Sequence, residues 1–111
     1  MTVLIDGQEL PAGVEVELAI RPDQPTVHIR FPVDDQALMS ALAPLTDDQV
    51  HTFEWRSGET LVAQAHGKLQ GRLQVRTGSG PSNAIYELWG QVWGPPPNYN
   101  RILVVTGDGA Q

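Results

Sequence analysis

The chain has 111 residues, a formal net charge of −6 at pH 7 and no cysteine. This length suits one domain over residues 1–111, with a core that needs neither disulfides nor metal. The missing cysteine excludes disulfide frameworks, thiolate zinc sites and cysteine nucleophiles. The negative charge argues against a nucleic-acid backbone as the main partner, because that affinity comes from clustered Lys and Arg.

The first half of the chain contains two short runs in which apolar and polar residues alternate. Residues 14–20 alternate Val, Leu and Ile with Glu and Ala, and residues 27–31 repeat the pattern with His28 and Arg30 facing outward. Alternation with period 2 is typical of strands buried on one side. The pattern therefore predicts two strands, which are separated by a proline-containing turn.

The alternation gives way to helical spacing between Asp34 and Ala43. Its apolar residues recur three to four positions apart, and Pro44 follows directly. Asp34 or Asp35 can accept hydrogen bonds from the free N–H groups of a first helical turn. One short helix is therefore predicted over about residues 35–43.

Strand patterns resume at Val50 and continue towards the C-terminus. Residues 50–55 and 60–65 form a predicted hairpin around a turn at 56–59. The next run ends at Arg76. In this run Leu69, Leu73 and Val75 share one face, where Gly71 suggests a bulge or bend. The sequence then predicts a loop at 77–83, a long strand at 84–93, a break at 94–98 and a strand at 101–105. Residues 106–111 are a predicted flexible tail.

These elements predict a mainly β fold of seven to eight short strands. We expect a single antiparallel β-sandwich or small barrel with one short α-helix. The predicted core consists of Val16, Leu18, Val27, Ile29, Phe31, Leu42, Phe53, Leu73 and Val75.

The sequence contains no recognisable set of catalytic residues, so we expect a protein that is not an enzyme. The three histidines lack the spacing that presents two imidazoles to one metal, and we expect neither a metal nor a cofactor. The acidic pairs at 34–35 and 47–48 fit a helix cap and a turn. No serine has the surroundings of a nucleophile elbow, and the glycine-rich loop at 78–81 lacks a phosphate-loop ending.

The aromatic residues of the last third are the strongest candidates for a binding surface. Trp89 and Trp93 project from one face of the predicted strand, and Tyr86 projects from the other. An exposed pair would suit a protein interface, but packing inside the core and stacking on sugars remain alternatives. The segment at 95–99 either stiffens the chain or matches the PPxY ligand of WW domains.

Charge is distributed unevenly along the chain, which suggests how subunits could meet. Residues 1–55 carry ten acidic and two basic residues, and residues 56–111 carry three acidic and five basic residues. The acidic half of one subunit could then contact basic residues of a neighbour. The predicted interface residues are Trp89, Trp93, Pro96, Tyr99, Arg72, Arg76 and Arg101.

The order of features resembles the small β-sandwich structural proteins of tailed-bacteriophage virions. The resemblance rests on the runs at 13–18 and 27–31, the helix start at 34–38 and the strand and turn at 50–58. It covers about residues 14–76, contains no diagnostic motif and transfers no functional residue. It implies a head-decoration, head–tail joining or tail protein that assembles with other subunits as an oligomer or within a larger particle.

A different class of function is the alternative, namely a bacterial domain that binds carbohydrate or another small ligand through Trp89 and Trp93. The N-terminus lacks the features of a secretory signal, and no apolar run is long enough for a membrane helix. We therefore expect the protein in a virion if it derives from a phage, and otherwise in the cytoplasm, with no membrane partner.

Overall fold

The computed structural model describes residues 1–19, 24–75, 84–94 and 100–107. Within these ranges the chain is mainly β, with one α-helix, α1 (Gln36–Leu42), and a 3-10 turn at Ala43–Leu45. The nine strands are β1 (Thr2–Ile5), β2 (Gln8–Glu9), β3 (Glu15–Ala19), β4 (Thr26–Pro32), β5 (His51–Ser57), β6 (Thr60–Gly67), β7 (Gln70–Val75), β8 (Ala84–Trp93) and β9 (Arg101–Val105).

The described strands form one antiparallel sheet that divides into two layers. The order is β2-β1-β5-β6-β8-β4-β3-β9, and β7 pairs with β8 beside the end of β6. We call β2-β1-β5-β6 the four-stranded layer and β7-β8-β4-β3-β9 the five-stranded layer. Their junction is short, because β6 pairs with β8 only through His66 and Gly67 opposite Trp93 and Val92. This architecture confirms the predicted mainly β fold with one short helix.

The additional strands come from an opening hairpin that the sequence analysis did not predict. Asp6 and Gly7 both have positive φ, of 53° and 85°, and they connect β1 to β2. A two-residue turn with positive φ at both positions matches the right-handed twist of antiparallel strands. The Asp-Gly pair was therefore a hairpin signal rather than a simple break.

The core lies between the layers and collects one face of every described strand except β2 and β7. Its members include Val3, Phe53 and Trp55 from the four-stranded layer, and α1 adds Leu38 and Leu42. Burial is confirmed for seven predicted core residues: Val16, Leu18, Val27, Ile29, Phe31, Leu42 and Phe53.

The core prediction was wrong for Leu73 and Val75, which are 60% and 72% exposed, although Leu69 is buried. After Leu69 the chain enters β7, an edge strand that pairs only with β8 among the described strands. Gly71 keeps regular register opposite Leu88, so it is not a bulge. Its hydrogen faces the Tyr86 hydroxyl, which a Cβ would strike. The apolar face of β7 therefore lies beyond the core.

The helix prediction is confirmed, with Asp35 as its cap. The Leu38 N–H donates to the Asp35 carboxylate over 3.1 Å. Among the described residues, no helix has the length and apolar character needed to cross a membrane.

Thr106, the first residue of the predicted flexible tail, is held in the fold. Thr106 is buried, and its hydroxyl donates to the Pro11 carbonyl and accepts a hydrogen bond from the Val14 N–H. The rest of the predicted tail, residues 108–111, lies outside the described residues. Thr106 therefore ties the end of β9 to the start of β3.

Candidate functional site

The outer face of the five-stranded layer contains four of the predicted interface residues. Trp89 and Trp93 lie on β8, Arg72 on β7 and Arg101 on β9, and all four occupy outward positions of their strands. The two tryptophans thus point away from the core, and packing between the layers is not their role. The other candidates, Arg76, Pro96 and Tyr99, lie outside the described residues, as does the PPxY segment.

Strand register brings opposite charges together at the centre of this face. Glu87 on β8 lies directly opposite Arg30 on β4 and opposite Arg72 on β7. On the far side of β4, Arg30 lies opposite Glu15 of β3. Direct cross-strand partners are close enough for their side chains to interact. The sheet therefore places one carboxylate between two guanidinium groups.

Glu87 is 1% exposed, and four side chains surround its carboxylate. Arg72 Nε and Gln74 Nε2 donate to Oε1 over 2.7 Å and 2.9 Å. Arg30 Nε donates to Oε2 over 2.8 Å, and His28 Nδ1 lies 3.2 Å from that oxygen. We call these five residues the Glu87 cluster. Such a buried carboxylate is stable as an ion only because donors satisfy it.

The cluster extends across the face through Arg30. This guanidinium also donates to Glu15 over 2.7 Å and to Glu17 over 3.0 Å. Arg101 Nε donates to the second oxygen of Glu17 over 2.7 Å. The acidic N-terminal half and the basic C-terminal half therefore meet within one subunit at Glu17 and Arg101.

The electrostatics of the network favour the charged forms of Glu87, Glu17 and Arg30. Burial alone would raise the pKa of Glu87, but the hydrogen bond from Arg72 and the charges of Arg30 and Arg72 lower it below the usual range. Burial opposes the shift at Glu17 too, yet hydrogen bonds from Arg30 and Arg101 lower its pKa. Burial acts against ionisation of Arg30, whose acidic partners nevertheless raise its pKa.

Trp89 is half-buried beside the Glu87 cluster. The Arg72 Cζ lies 5.1 Å from the centroid of the Trp89 ring. A guanidinium at this distance interacts favourably with an aromatic face. Arg72 thus contacts Glu87 and the Trp89 ring at the same time.

Trp93 is 56% exposed at the end of β8. Its ring centroid is 6.1 Å from that of His66 on β6, whose Nδ1 is 3.1 Å from the Thr52 hydroxyl. A groove of about 390 Å³ runs beside the indole. The groove is lined by Gln24, Val50, Lys68, Gln70, Gln91, Val92 and Trp93.

A second polar cluster lies at His51, the first residue of β5 in the four-stranded layer. His51 is buried, with Nδ1 2.6 Å from Asp6 Oδ2 and Nε2 2.9 Å from Asp47 Oδ1. Nε2 is also 3.0 Å from the Leu45 carbonyl. Because both nitrogens face acceptors, the doubly protonated imidazolium is the form that can donate at both positions. Burial alone would lower the pKa of His51, but the hydrogen bonds to Asp6 and Asp47 raise it.

The charged groups of these two clusters are held in place by partners within the same chain. Glu87 and His51 have both of their polar side-chain atoms bound by groups of the same chain. Across the ranges that the structure describes, no group of three or more His, Asp or Glu residues could hold a metal ion.

Sequence reasoning found the tryptophans but missed Glu87 and His51. A signal for Glu87 was present, since it is the one acidic residue in the strand at 84–93 and an outward arginine stands in each of two other strands. Its four neighbours in the cluster could not be identified without the strand register. Comparisons with protein families, with curated proteins and with solved structures found no match to this chain.

Proposed function

We propose that the chain is a non-enzymatic binding protein that assembles with other protein subunits through the outer face of its five-stranded layer. The observation that carries this proposal is Trp93, an indole that is 56% exposed on a paired strand. Tryptophan and arginine are the residues most enriched at energetically important positions of protein interfaces. On this face Arg72 contacts Trp89, and Trp93 lies four residues further along the same side of β8.

The rigidity of the face supports the same proposal. Ion pairs join β9, β3, β4, β8 and β7 across the layer, so the side chains beside the tryptophans are already ordered. A surface that is ordered before binding loses less side-chain entropy when a partner arrives. The resemblance to bacteriophage β-sandwich proteins adds support from the sequence, and we propose a virion as the place of assembly.

Sedimentation velocity over a range of concentrations tests the proposal. We expect species larger than the 12.1 kDa chain, together with a fall in iodide quenching of Trp93 as they form. Trp93→Ala should shift assembly to at least about tenfold higher concentration and leave the melting temperature unchanged. Leu61→Ala is the matched control, because Leu61 is an exposed apolar residue of the four-stranded layer. Normal assembly of Trp93→Ala would reject this face as the interface.

The groove beside Trp93 favours a second candidate, which is binding of a neutral saccharide. An indole can cover the apolar face of a sugar ring, and the amides of Gln24, Gln70 and Gln91 can both donate to and accept from hydroxyl groups. The volume of about 390 Å³ lies in the range of small-ligand sites.

A glycan array separates the two candidates. Binding by a monomer that is lost in both Trp93→Ala and Gln91→Ala would establish the saccharide function. An oligomer that binds no glycan supports subunit assembly.

A further inference from the structure

We infer that β9 is a second contact surface, at which two copies of the chain pair edge to edge into one continuous sheet. The inference concerns the edge of the five-stranded layer rather than the Trp89–Trp93 face, so it goes beyond the proposed function and holds or fails independently of it. The occupant of this edge is a second copy of the chain.

The backbone of β9 presents unused hydrogen-bonding groups along this edge. The Thr106 N–H donates to the Val14 carbonyl over 2.8 Å, and β9 continues from there in regular antiparallel register with β3. Antiparallel pairs alternate between bonded and non-bonded positions. Val104 and Ile102 therefore bond to β3, and the N–H and C=O groups of Arg101, Leu103 and Val105 point away from it. Among the described strands, none pairs with this side of β9.

The side chains of β9 add an apolar strip to this edge. Leu103 and Val105 are 45% and 42% exposed, and the strand contains neither proline nor lysine. Charged residues, prolines and very short strands are the usual means by which proteins prevent pairing at sheet edges. The other end of the sheet has such protection, because β2 is two residues long and Pro11 follows closely.

The sequence of β9 is complementary to itself in antiparallel orientation. With Leu103 opposite Leu103 of the other copy, Arg101 of each copy lies opposite Val105. The free backbone N–H and C=O groups of Arg101, Leu103 and Val105 in each copy then form about six hydrogen bonds between the chains. Arg101 is the one charged residue of β9, so no like charges come opposite each other.

Charge complementarity supports a second copy as the partner. Val105 lies beside Glu15 of its own subunit, so Arg101 of one copy and Glu15 of the other occupy the same row of the outer face. The two residues are separated by two strand spacings, or about 10 Å between backbones, which two long side chains can bridge. The Arg101 side chain is 59% exposed and binds Glu17 of its own subunit through Nε, so its other guanidinium N–H groups are the ones that would reach Glu15 of the second copy. The two-fold axis repeats the contact.

Sedimentation equilibrium of Trp93→Ala, which removes the contact of the proposed function, tests the pairing, with a mass of twice 12.1 kDa expected. Leu103→Lys places two like charges opposite each other and should raise the dimer Kd by at least about tenfold. Leu73→Lys changes a leucine that is also exposed, at 60% against 45%, on the opposite edge of the layer, and it should leave the dimer intact. Circular dichroism should show that both variants are folded. A Trp93→Ala protein that stays monomeric up to about millimolar concentration overturns the inference.

Cysteine cross-linking tests the register, because the chain has no cysteine of its own. In Leu103→Cys the two Cα atoms lie about 5.5 Å apart, within the range of a disulfide, so oxidation should link the dimer. In Val105→Cys the same atoms lie about 15 Å apart, and no link should form. A dimer that is linked through Cys at 105 and not at 103 contradicts the proposed pairing, as does a dimer that Leu73→Lys dissociates and Leu103→Lys does not. Loss of assemblies larger than the dimer in Trp93→Ala tests only the proposed function.

Discussion

Replacement of Glu87 by glutamine tests whether the charge network stabilises the fold. The variant keeps the shape of the side chain but removes its negative charge, and it places an NH₂ group where four donors converge. Removal of one partner from a buried ion pair costs about 3–5 kcal/mol. Arg30 keeps Glu15 and Glu17, and Arg72 is half-exposed to water, so part of that cost is avoided. We therefore expect a loss of about 2–3 kcal/mol in the free energy of unfolding.

Urea and thermal denaturation measure this loss, which should lower the melting temperature by at least about 8 °C in a domain of this size. Glu59→Gln is the control, because Glu59 is exposed in the turn between β5 and β6 and should change stability by less than about 0.5 kcal/mol. The pKa of Glu87 is lowered from its usual 4.5, so its stabilisation is complete above that pH and is lost as the pH falls through the lower folded pKa. The free energies of unfolding of the wild type and of Glu87→Gln should therefore converge in acid. A Glu87→Gln loss below about 0.5 kcal/mol at neutral pH would refute the reasoning.

Three further predictions concern the core, the helix and the His51 cluster. Phe31→Ala should cost about 3–5 kcal/mol and Leu18→Ala about 2–5 kcal/mol in thermal melts, while the exposed Val75→Ala should cost less than about 0.5 kcal/mol. Asp35→Ala should cost about 0.5–2 kcal/mol in urea titrations, because it removes the cap that binds the Leu38 N–H. His51, with a pKa raised from 6.5, stabilises the fold below that pH and loses this effect as the pH rises through its raised folded pKa. The gap in the free energy of unfolding between wild type and His51→Asn should therefore narrow in alkali. A gap that stays constant from about pH 5 to about pH 9 would contradict this. The difference should narrow in strong acid as well, as the pH falls below 3.8 through the lowered pKa of Asp6.

The strand phases could be predicted because burial imposes them locally. In β3 and β4 every second residue meets the core, so alternation in the sequence reveals the buried face. The cap of α1 is equally local, because Asp35 lies three residues before the N–H that it binds. These features need no knowledge of which strands are neighbours.

Alternation in the sequence led to the wrong prediction that the apolar residues of β7 are buried. Alternation correctly places Leu73 and Val75 on one face, but it cannot tell whether another layer covers that face. Coverage depends on where β7 lies in the sheet, and it is an edge strand beyond Leu69. The Glu87 cluster was missed for a related reason. Arg30, Arg72 and Glu87 are far apart in sequence, and only the registers of β4 and β7 with β8 bring them together.

The paired charges of the outer face also determine which partner it suits. Arg30 already binds three carboxylates, and Glu87 is enclosed by its donors, so a partner that recognised either charge would have to break existing ion pairs. Contact with Trp93 leaves those pairs intact. Association through this face should therefore change little between about 0.05 M and about 0.5 M salt, whereas attraction between opposite charges weakens as salt screens it. Sedimentation of Leu103→Lys at both salt concentrations isolates this contact from the β9 edge. Assembly that dissociates in high salt would mean that charge, and not the exposed indole, holds the subunits together.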